Sequence, residues 1–293
     1  MSEGTITWRE VAVETAARLS AVSDAPETET RWIIERASGF EGTEYVLGLD
    51  EAVTERGMHF HDLMVGRRMA GEPLQYVLGR WGFRTLDLIV DPRVLIPRPE
   101  TEVVAGLAID RLRDMRSAGI DRPVAVDLGT GSGAIGLSLA VEVERVEVWI
   151  TDASEDALVV AGSNLTGIGR AATRVHIVHG SWFAALPDHL RGTVDLIVSN
   201  PPYVAIDDDI DDIVREWEPP GALFAGDDGL DDLRILVDGA IEWLRPGGSL
   251  VLEMSPAQVP VIAERATAAG FVTVEAVRDL SGRERAIVAR NAG

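Results

Sequence analysis

The sequence predicts a doubly wound α/β fold: a mostly parallel sheet with an antiparallel edge hairpin, preceded by a small all-α domain and a β-hairpin linker. Three observations carry this. Beyond residue 122, short apolar runs alternate with helical stretches, the pattern of βαβ units. A glycine-rich turn, Gly129 to Gly136, follows the first of those runs. Before residue 76 the apolar positions recur at helical spacing.

Taken in order, residues 1–75 read as a helical domain. Val11, Thr15, Ala16 and Leu19 share one helix face, and Trp32, Ile33 and Ala37 another. Ser38-Gly39 and Asp50 read as breaks, with Asp50 the expected N-cap of a helix through Glu51-Ala52-Val53. His59 and His61 fall on different helix faces with no third ligand nearby, so they read as surface or packing residues and no metal site is expected. Residues 76–96 read as a linker whose hairpin strands are Trp81-Gly82-Phe83 and Leu86 to Val90.

Residues 97–293 then form the third region. Pro97 and Pro99 stiffen its start, since each lacks an N–H and disfavours α geometry in the residue before it. A helix is expected from Thr101 to Leu112. Strands are expected at Val124–Leu128, Val146–Ile150, Val175–Val178, Val194–Val198, Ser249–Glu253, Val272–Val277 and Glu284–Ala289. Helices are expected to about Val141, over Glu155–Asn164 and over Ala257–Ala269. The short link Asp279 to Gly282 gives the last two strands hairpin length, hence antiparallel edge pairing.

Composition narrows the function classes. The 293 residues carry a formal net charge of −21, and all 27 basic residues are arginine. A protein gripping nucleic acid across many phosphates shows a basic face, which this chain lacks; the balance reads first as keeping the protein soluble, and second as repelling nucleic acid and favouring a basic protein partner, so no direct nucleic-acid binding is expected. No apolar run approaches the roughly 18 residues that span a bilayer. The opening Met-Ser-Glu-Gly-Thr lacks a signal-peptide pattern, so a cytoplasmic protein without membrane association is expected. The absence of cysteine excludes disulfides and thiolate metal sites. The run Asp207-Asp208-Asp209 with Asp211-Asp212 lacks the alternating spacing and glycine of a calcium loop and reads as a solvated loop.

The glycine turn is the strongest local signal. In Asp127-Leu128-Gly129-Thr130-Gly131-Ser132-Gly133, glycines let the chain turn tightly and let a ligand approach the backbone. Asp152 follows about twenty residues later, at a strand end where a carboxylate can bind ribose hydroxyls. Gly131, Gly133 and Gly136 also satisfy the dinucleotide pattern G-x-G-x-x-G. Asp127 counts against that reading. A carboxylate there would sit poorly beside a pyrophosphate and well beside a cationic ligand such as a sulfonium amino acid.

A second motif, Asn200-Pro201-Pro202-Tyr203, stands at the carboxyl end of an expected strand, where open α/β sheets bind ligands. Prolines remove N–H donors, so this turn presents acceptors: the Asn200 side-chain carbonyl and the Pro201 main-chain carbonyl. Two convergent acceptors suit an –NH₂ group, and Tyr203 is expected to offer an aromatic wall to a planar group. Accepting both hydrogens raises electron density on a delocalised nitrogen and aims it, which is catalysis by positioning and electrostatics.

The two motifs together resemble those of class I methyltransferases acting on planar nitrogens, with their Rossmann-like sheet. Three further segments resemble the release factor glutamine methyltransferases (PrmC/HemK): Glu72 to Gly79, Leu95 to Glu102, and Glu218-Pro219 with Ala222-Leu223 and Asp228-Gly229-Leu230. The resemblance implies S-adenosylmethionine as methyl donor, S-adenosylhomocysteine as product and no metal. Its implied substrate is the glutamine of the Gly-Gly-Gln motif in class 1 peptide chain release factors, bound by a monomeric enzyme whose N-terminal helices help clamp the factor. The cofactor would be held by Asp127, Gly129, Thr130, Gly131, Ser132, Gly133, Asp152, Ala153, Ser181, Trp182 and Asn200. Asn200, Pro201, Pro202 and Tyr203 would hold the glutamine, with Leu95 an apolar wall near the methyl. Ser181 departs from the Asp common in relatives, which alters the expected adenine contact. The alternative within the same motifs is methylation of an adenine N6 or guanine N2 amino group in DNA or rRNA.

Overall fold

The computed structural model describes residues 6–293, so the expectations placed on the first five residues lie outside the described residues. The chain divides into two compact units. One reaches to Arg80 and includes Asp212–Trp217; the other comprises Trp81–Asp211 and Glu218–Gly293. The sequence pattern did not separate the short Asp212–Trp217 stretch from its surroundings.

The first unit is helical: α1 (Trp8–Leu19), α2 (Pro26–Ser38), α3 (Thr43–Gly48), α4 (Glu55–Met69) and α5 (Leu74–Leu78). Thr7 caps α1 in a reciprocal arrangement with Glu10. Leu19, Ile33, Met64, Val65, Leu74 and Val77 form one apolar cluster, and Trp8, Val11 and Ile34 a second. Asp50 does not cap a helix. Thr54 caps α4, its hydroxyl accepting from the Gly57 N–H, while Asp50 takes an exposed ion pair with Arg9. Glu51 to Val53 form no helix, and Ala52 is bridged to Thr7. Tyr76 to Leu78 are helical rather than part of a hairpin. Arg67 holds the end of α5, donating to the Tyr76 carbonyl at 2.9 Å and the Val77 carbonyl at 3.2 Å while paired with Glu72. His61 is buried with Nε2 2.7 Å from the Thr15 hydroxyl, and His59 is exposed.

The second unit begins with a two-stranded hairpin, β1 (Arg80–Phe83) and β2 (Leu86–Ile89). There follow α6 (Pro99–Ser117), β3 (Val124–Leu128), α7 (Ala134–Glu142), β4 (Glu147–Asp152), α8 (Glu155–Gly167), β5 (Val175–His179) and β6 (Val194–Ser199). The short α9 (Asp212–Trp217) belongs to the first unit, and α10 (Asp231–Trp243), β7 (Leu244–Glu253), α11 (Val259–Ala269), β8 (Thr273–Arg278) and β9 (Glu284–Arg290) complete the chain. Helix α6 starts at Pro99 instead of Thr101 because proline is preorganised for the first helical position, and it runs five residues past Leu112. Helix α10 has no counterpart among the sequence expectations, although Leu233, Leu236, Val237 and Ala240 bury one face at helical spacing.

The seven strands lie in the order β5-β4-β3-β6-β7-β9-β8. The first five are parallel, and β9 inserts antiparallel between β7 and the edge strand β8. All six residues of β6 are buried, as a central parallel strand covered on both faces requires. Order reverses between β3 and β6, the switch point at which open α/β sheets bind ligands. The Ser199 hydroxyl ties the two strand ends together by donating to the Leu128 carbonyl at 2.6 Å. Among the described residues no helix is long and apolar enough to cross a membrane.

Candidate active site

A cavity of about 510 Å³ opens over the carboxyl ends of β3, β4 and β6. The glycine loop forms its floor. Asp127 is fully buried at the end of β3, where its Oδ2 accepts from the Thr130 hydroxyl at 2.6 Å and the Gly136 N–H at 2.8 Å. Gly136 has to be glycine: a Cβ there would stand 2.3 Å from the Ile150 side chain and 3.0 Å from Asp127 Oδ2. The other carboxylate oxygen, Oδ1, has no hydrogen-bond partner among the described residues although Asp127 lines the cavity. Burial raises the Asp127 carboxyl to about 6, against the pull of those two donors.

Asp152, at the end of β4, accepts from the Gly131 N–H and the Ser154 N–H, both at 2.9 Å. It therefore shapes the loop as well as facing the cavity. Trp182 adopts a left-handed backbone, φ 44°, a conformation a bulky residue holds only where its surroundings enforce it. Its indole N–H donates to Asp232 Oδ1 on α10 at 3.0 Å, and its ring lies so close to Gly129 that a Cβ there would meet it at 3.1 Å. The sequence reading missed Asp232, which lines the cavity; the amphipathic pattern of α10 is the signal that places it.

Asn200 stands just past β6. Its side-chain N–H donates to the Thr101 hydroxyl at 3.2 Å, leaving the amide oxygen as the acceptor available to a ligand. Pro202 lines the cavity with Asn200, whereas Pro201 is buried below. Tyr203, expected as an aromatic wall, packs instead against the core, and its hydroxyl donates to Glu253 Oε1 at 3.4 Å. Burial raises the Tyr203 phenol to about 12 and the Glu253 carboxyl to about 7. Beyond the motif, the Gln258 amide donates to the Tyr203 carbonyl at 2.8 Å and the Gly229 carbonyl at 3.0 Å, so the chain leaving the site is pinned.

The mouth is built by two segments held together. Leu95, Pro97, Pro219, Gly221 and Ala222 line it. Glu218, almost wholly buried, accepts from the Ile96 N–H at 3.1 Å and from the Arg98 guanidinium. This joins Leu95 to Glu102 with Glu218 to Leu223, two segments more than a hundred residues apart.

Of the expected site residues, Leu95, Asp127, Gly129, Thr130, Gly131, Ser132, Asp152, Ala153, Trp182, Asn200 and Pro202 share the cavity. Gly133 faces Leu137 in the packing behind it, and Ser181 is exposed beside it. Besides Asp232, the residues without an expected role that line the cavity or hold its lining include Thr101, Glu218 and Glu253. An unpaired buried carboxylate oxygen in a glycine-lined cavity fits a ligand with a cationic amino acid end and a flat aromatic end against Trp182. S-adenosylmethionine has both. Among the described residues no group of three or more His, Asp or Glu is placed to hold a metal ion.

Comparison with known proteins gives two family matches: a PrmC N-terminal domain over residues 10–79 and a methyltransferase small domain over residues 112–217. The release factor glutamine methyltransferase of Gloeobacter violaceus is 38% identical, with 96% of this chain and 95% of that one aligned. The enzyme of that name from Deinococcus radiodurans is 38% identical, over 97% and 99%. That from Streptomyces coelicolor is 44% identical, over 78% and 79%. Among solved structures, the hMettl16 catalytic domain in complex with MAT2A 3'UTR hairpin 6 is similar in fold, with a TM-score of 0.53 at 14% identity over 82% of each chain. The glycine-lined cavity thus belongs to an S-adenosylmethionine-dependent methyltransferase, and the chain is a member of the release factor glutamine methyltransferase family.

Proposed function

We propose that this chain methylates the side-chain amide nitrogen of the glutamine in the Gly-Gly-Gln motif of class 1 peptide chain release factors. The observation that supports the reading most is Asn200: its amide N–H donates to Thr101, which leaves its oxygen as an acceptor for a ligand in the cavity that Asn200 lines. The names of the full-length relatives support the substrate.

S-adenosylmethionine supplies an electrophilic methyl group on sulfur. Asp127 Oδ1 would accept from its amino group, Asp152 from its ribose, and Trp182 would stack on its adenine, with Gly129 to Gly133 and Ala153 lining the path. An amide nitrogen is a weak nucleophile because its lone pair is delocalised. Asn200 Oδ1 and the Pro201 carbonyl would accept its two hydrogens, concentrating electron density on nitrogen and aiming it into the cavity. Leu95 and Pro202 would bound the reacting groups and exclude water. After transfer the nitrogen carries an extra proton, which it releases readily to solvent. S-adenosylhomocysteine would leave as the second product.

The direct test offers a recombinant release factor, DNA and ribosomes in parallel with labelled S-adenosylmethionine. Label is expected on the factor and is expected to vanish when the Gly-Gly-Gln glutamine becomes alanine. Label on DNA or rRNA, with none on the factor, would sink the reading.

A further inference from the structure

We propose that Asp232 reads the base of the cofactor: its Oδ1 holds the Trp182 indole, and its Oδ2 accepts from the 6-amino group of an adenine laid on that indole. The inference rests on the proposed placement of the cofactor with its adenine against Trp182. Adenine donates through its exocyclic –NH₂. A site that selects adenine among purines therefore gains from an acceptor opposite that group.

Three carboxylates line the cavity: Asp127, Asp152 and Asp232. Asp127 is the proposed partner of the cofactor's amino group. Both oxygens of Asp152 accept from the loop, Oδ2 from the Gly131 N–H and Oδ1 from the Ser154 N–H. Asp232 enters from a different element, the first turn of α10. Its Oδ1 accepts from Trp182 Nε1 at 3.0 Å, and its Oδ2 has no hydrogen-bond partner among the described residues. The neighbouring acids Asp228 and Asp231 pair with Arg234 instead. Ser181, the residue expected at the adenine, is exposed and is not among those that line the cavity. The side chain that meets Trp182 inside the cavity is Asp232.

Trp182 is held from two directions. Asp232 takes its indole N–H, and its ring lies against Gly129, where a Cβ would meet it at 3.1 Å. These contacts accompany a left-handed backbone at Trp182, φ 44°, that a bulky residue does not adopt unaided. A carboxylate at the edge of an indole can serve two layers of a stack, with one oxygen for the indole N–H and one for a donor on the ring above it. Burial raises the Asp232 carboxyl, the Trp182 hydrogen bond opposes this, and Asp231 adds to it. A second N–H at Oδ2 would offset the cost of burying that charge. A 6-aminopurine supplies such a donor, whereas a 6-oxopurine would set an oxygen against the carboxylate, acceptor to acceptor.

The test is calorimetric titration of the whole chain with S-adenosylhomocysteine and with two analogues, carrying hydrogen or oxygen in place of the 6-amino group. Wild type is compared with Asp232→Asn and Asp232→Ala. Wild type is expected to bind the amino form roughly 10- to 100-fold more tightly than the hydrogen form, the size of one hydrogen bond to a charge. Asp232→Ala is expected to weaken the amino form and bring those two level. Asp232→Asn keeps an acceptor for Trp182 and turns its –NH₂ toward the base, so it is expected to prefer the oxygen form to the amino form. A role confined to supporting Trp182 would weaken all three ligands equally in Asp232→Ala and leave the wild-type order in Asp232→Asn; that pattern overturns the contact. An amino-over-hydrogen preference undiminished in Asp232→Ala overturns it as well. Asp232→Asn keeps the size and shape of the side chain, so should Asp232→Ala fail to fold, the order of the oxygen and amino forms in Asp232→Asn decides. Binding of S-adenosylhomocysteine by wild type with no preference at position 6 overturns this inference alone. No binding of it at all overturns the cofactor placement and the inference together.

Discussion

Asp127 and Asn200 do different work with similar means. Asp127 is buried and Asn200 half-buried, and each has one end engaged by the protein and one end proposed for a ligand. Asp127 Oδ2 is committed to Thr130 and Gly136, and Oδ1 is unpartnered among the described residues. Burial raises its carboxyl to about 6, so the folded protein holds a proton more tightly than the unfolded chain. The sign follows: this group's contribution to stability is full below the ordinary carboxylate range and is lost as pH rises through about 6. Asp127→Asn is therefore expected to keep or raise the thermal midpoint at pH above that value. It should also weaken cofactor binding by about 1.5–3 kcal/mol, the worth of a hydrogen bond to a charge. Calorimetric titration with a thermal melt checks both; unchanged affinity would remove Asp127 from the cofactor site. Both residues were legible in the sequence because each lies within a short motif whose chemistry is local. Thr101 and Glu253 were not, since they meet Asn200 and Tyr203 through contacts that chain spacing does not reveal. Tyr203 was read as a wall because aromatic rings pack well on planar groups; its ring is packed on the core instead.

At the scale of elements, strand–helix alternation was readable because central parallel strands are apolar on both faces. Strand β3 matches its expected span, and β4 to β9 differ from theirs mainly at the ends. Element ends were less readable: Thr54 won the cap of α4 from Asp50 through its own hydroxyl, and Arg67 held Tyr76 to Leu78 in a helix from a distance. Helix α10 shows an omission rather than an ambiguity, for its apolar face was present in the sequence. Through Asp232 it holds Trp182 over Gly129. The mouth depends on the tie between Glu218 and the Ile96–Arg98 stretch, 122 residues apart at its longest. Glu218→Ala leaves a buried N–H and a guanidinium without their acceptor. It is expected to cost about 1–3 kcal/mol of stability and to lower kcat/KM as Leu95 loses its support. Denaturant unfolding and steady-state kinetics measure the two; no change in either would make the tie incidental.

For the whole molecule, the sheet order sets the geometry of the reaction. The glycine loop leaves β3 and the Asn200 motif leaves β6, neighbouring strands joined at their ends by Ser199 and Leu128. Both motifs are thus held at one edge of the sheet, an arrangement that suits the catalysis by positioning proposed above. The same sheet serves methyl transfer to many nitrogens, so it does not choose between a base and an amide. The net charge of −21 leans toward a protein substrate, because net negative charge repels phosphate backbones. In the proposed function, Asn200 directs a methyl group to one glutamine amide. Mass-spectrometric mapping of a release factor, after reaction with wild type and with Asn200→Ala at matched cofactor occupancy, tests it most directly. A single methyl on the glutamine side chain of Gly-Gly-Gln is expected with wild type and almost none with the variant. A methyl on another residue, or an undiminished one with Asn200→Ala, would contradict it.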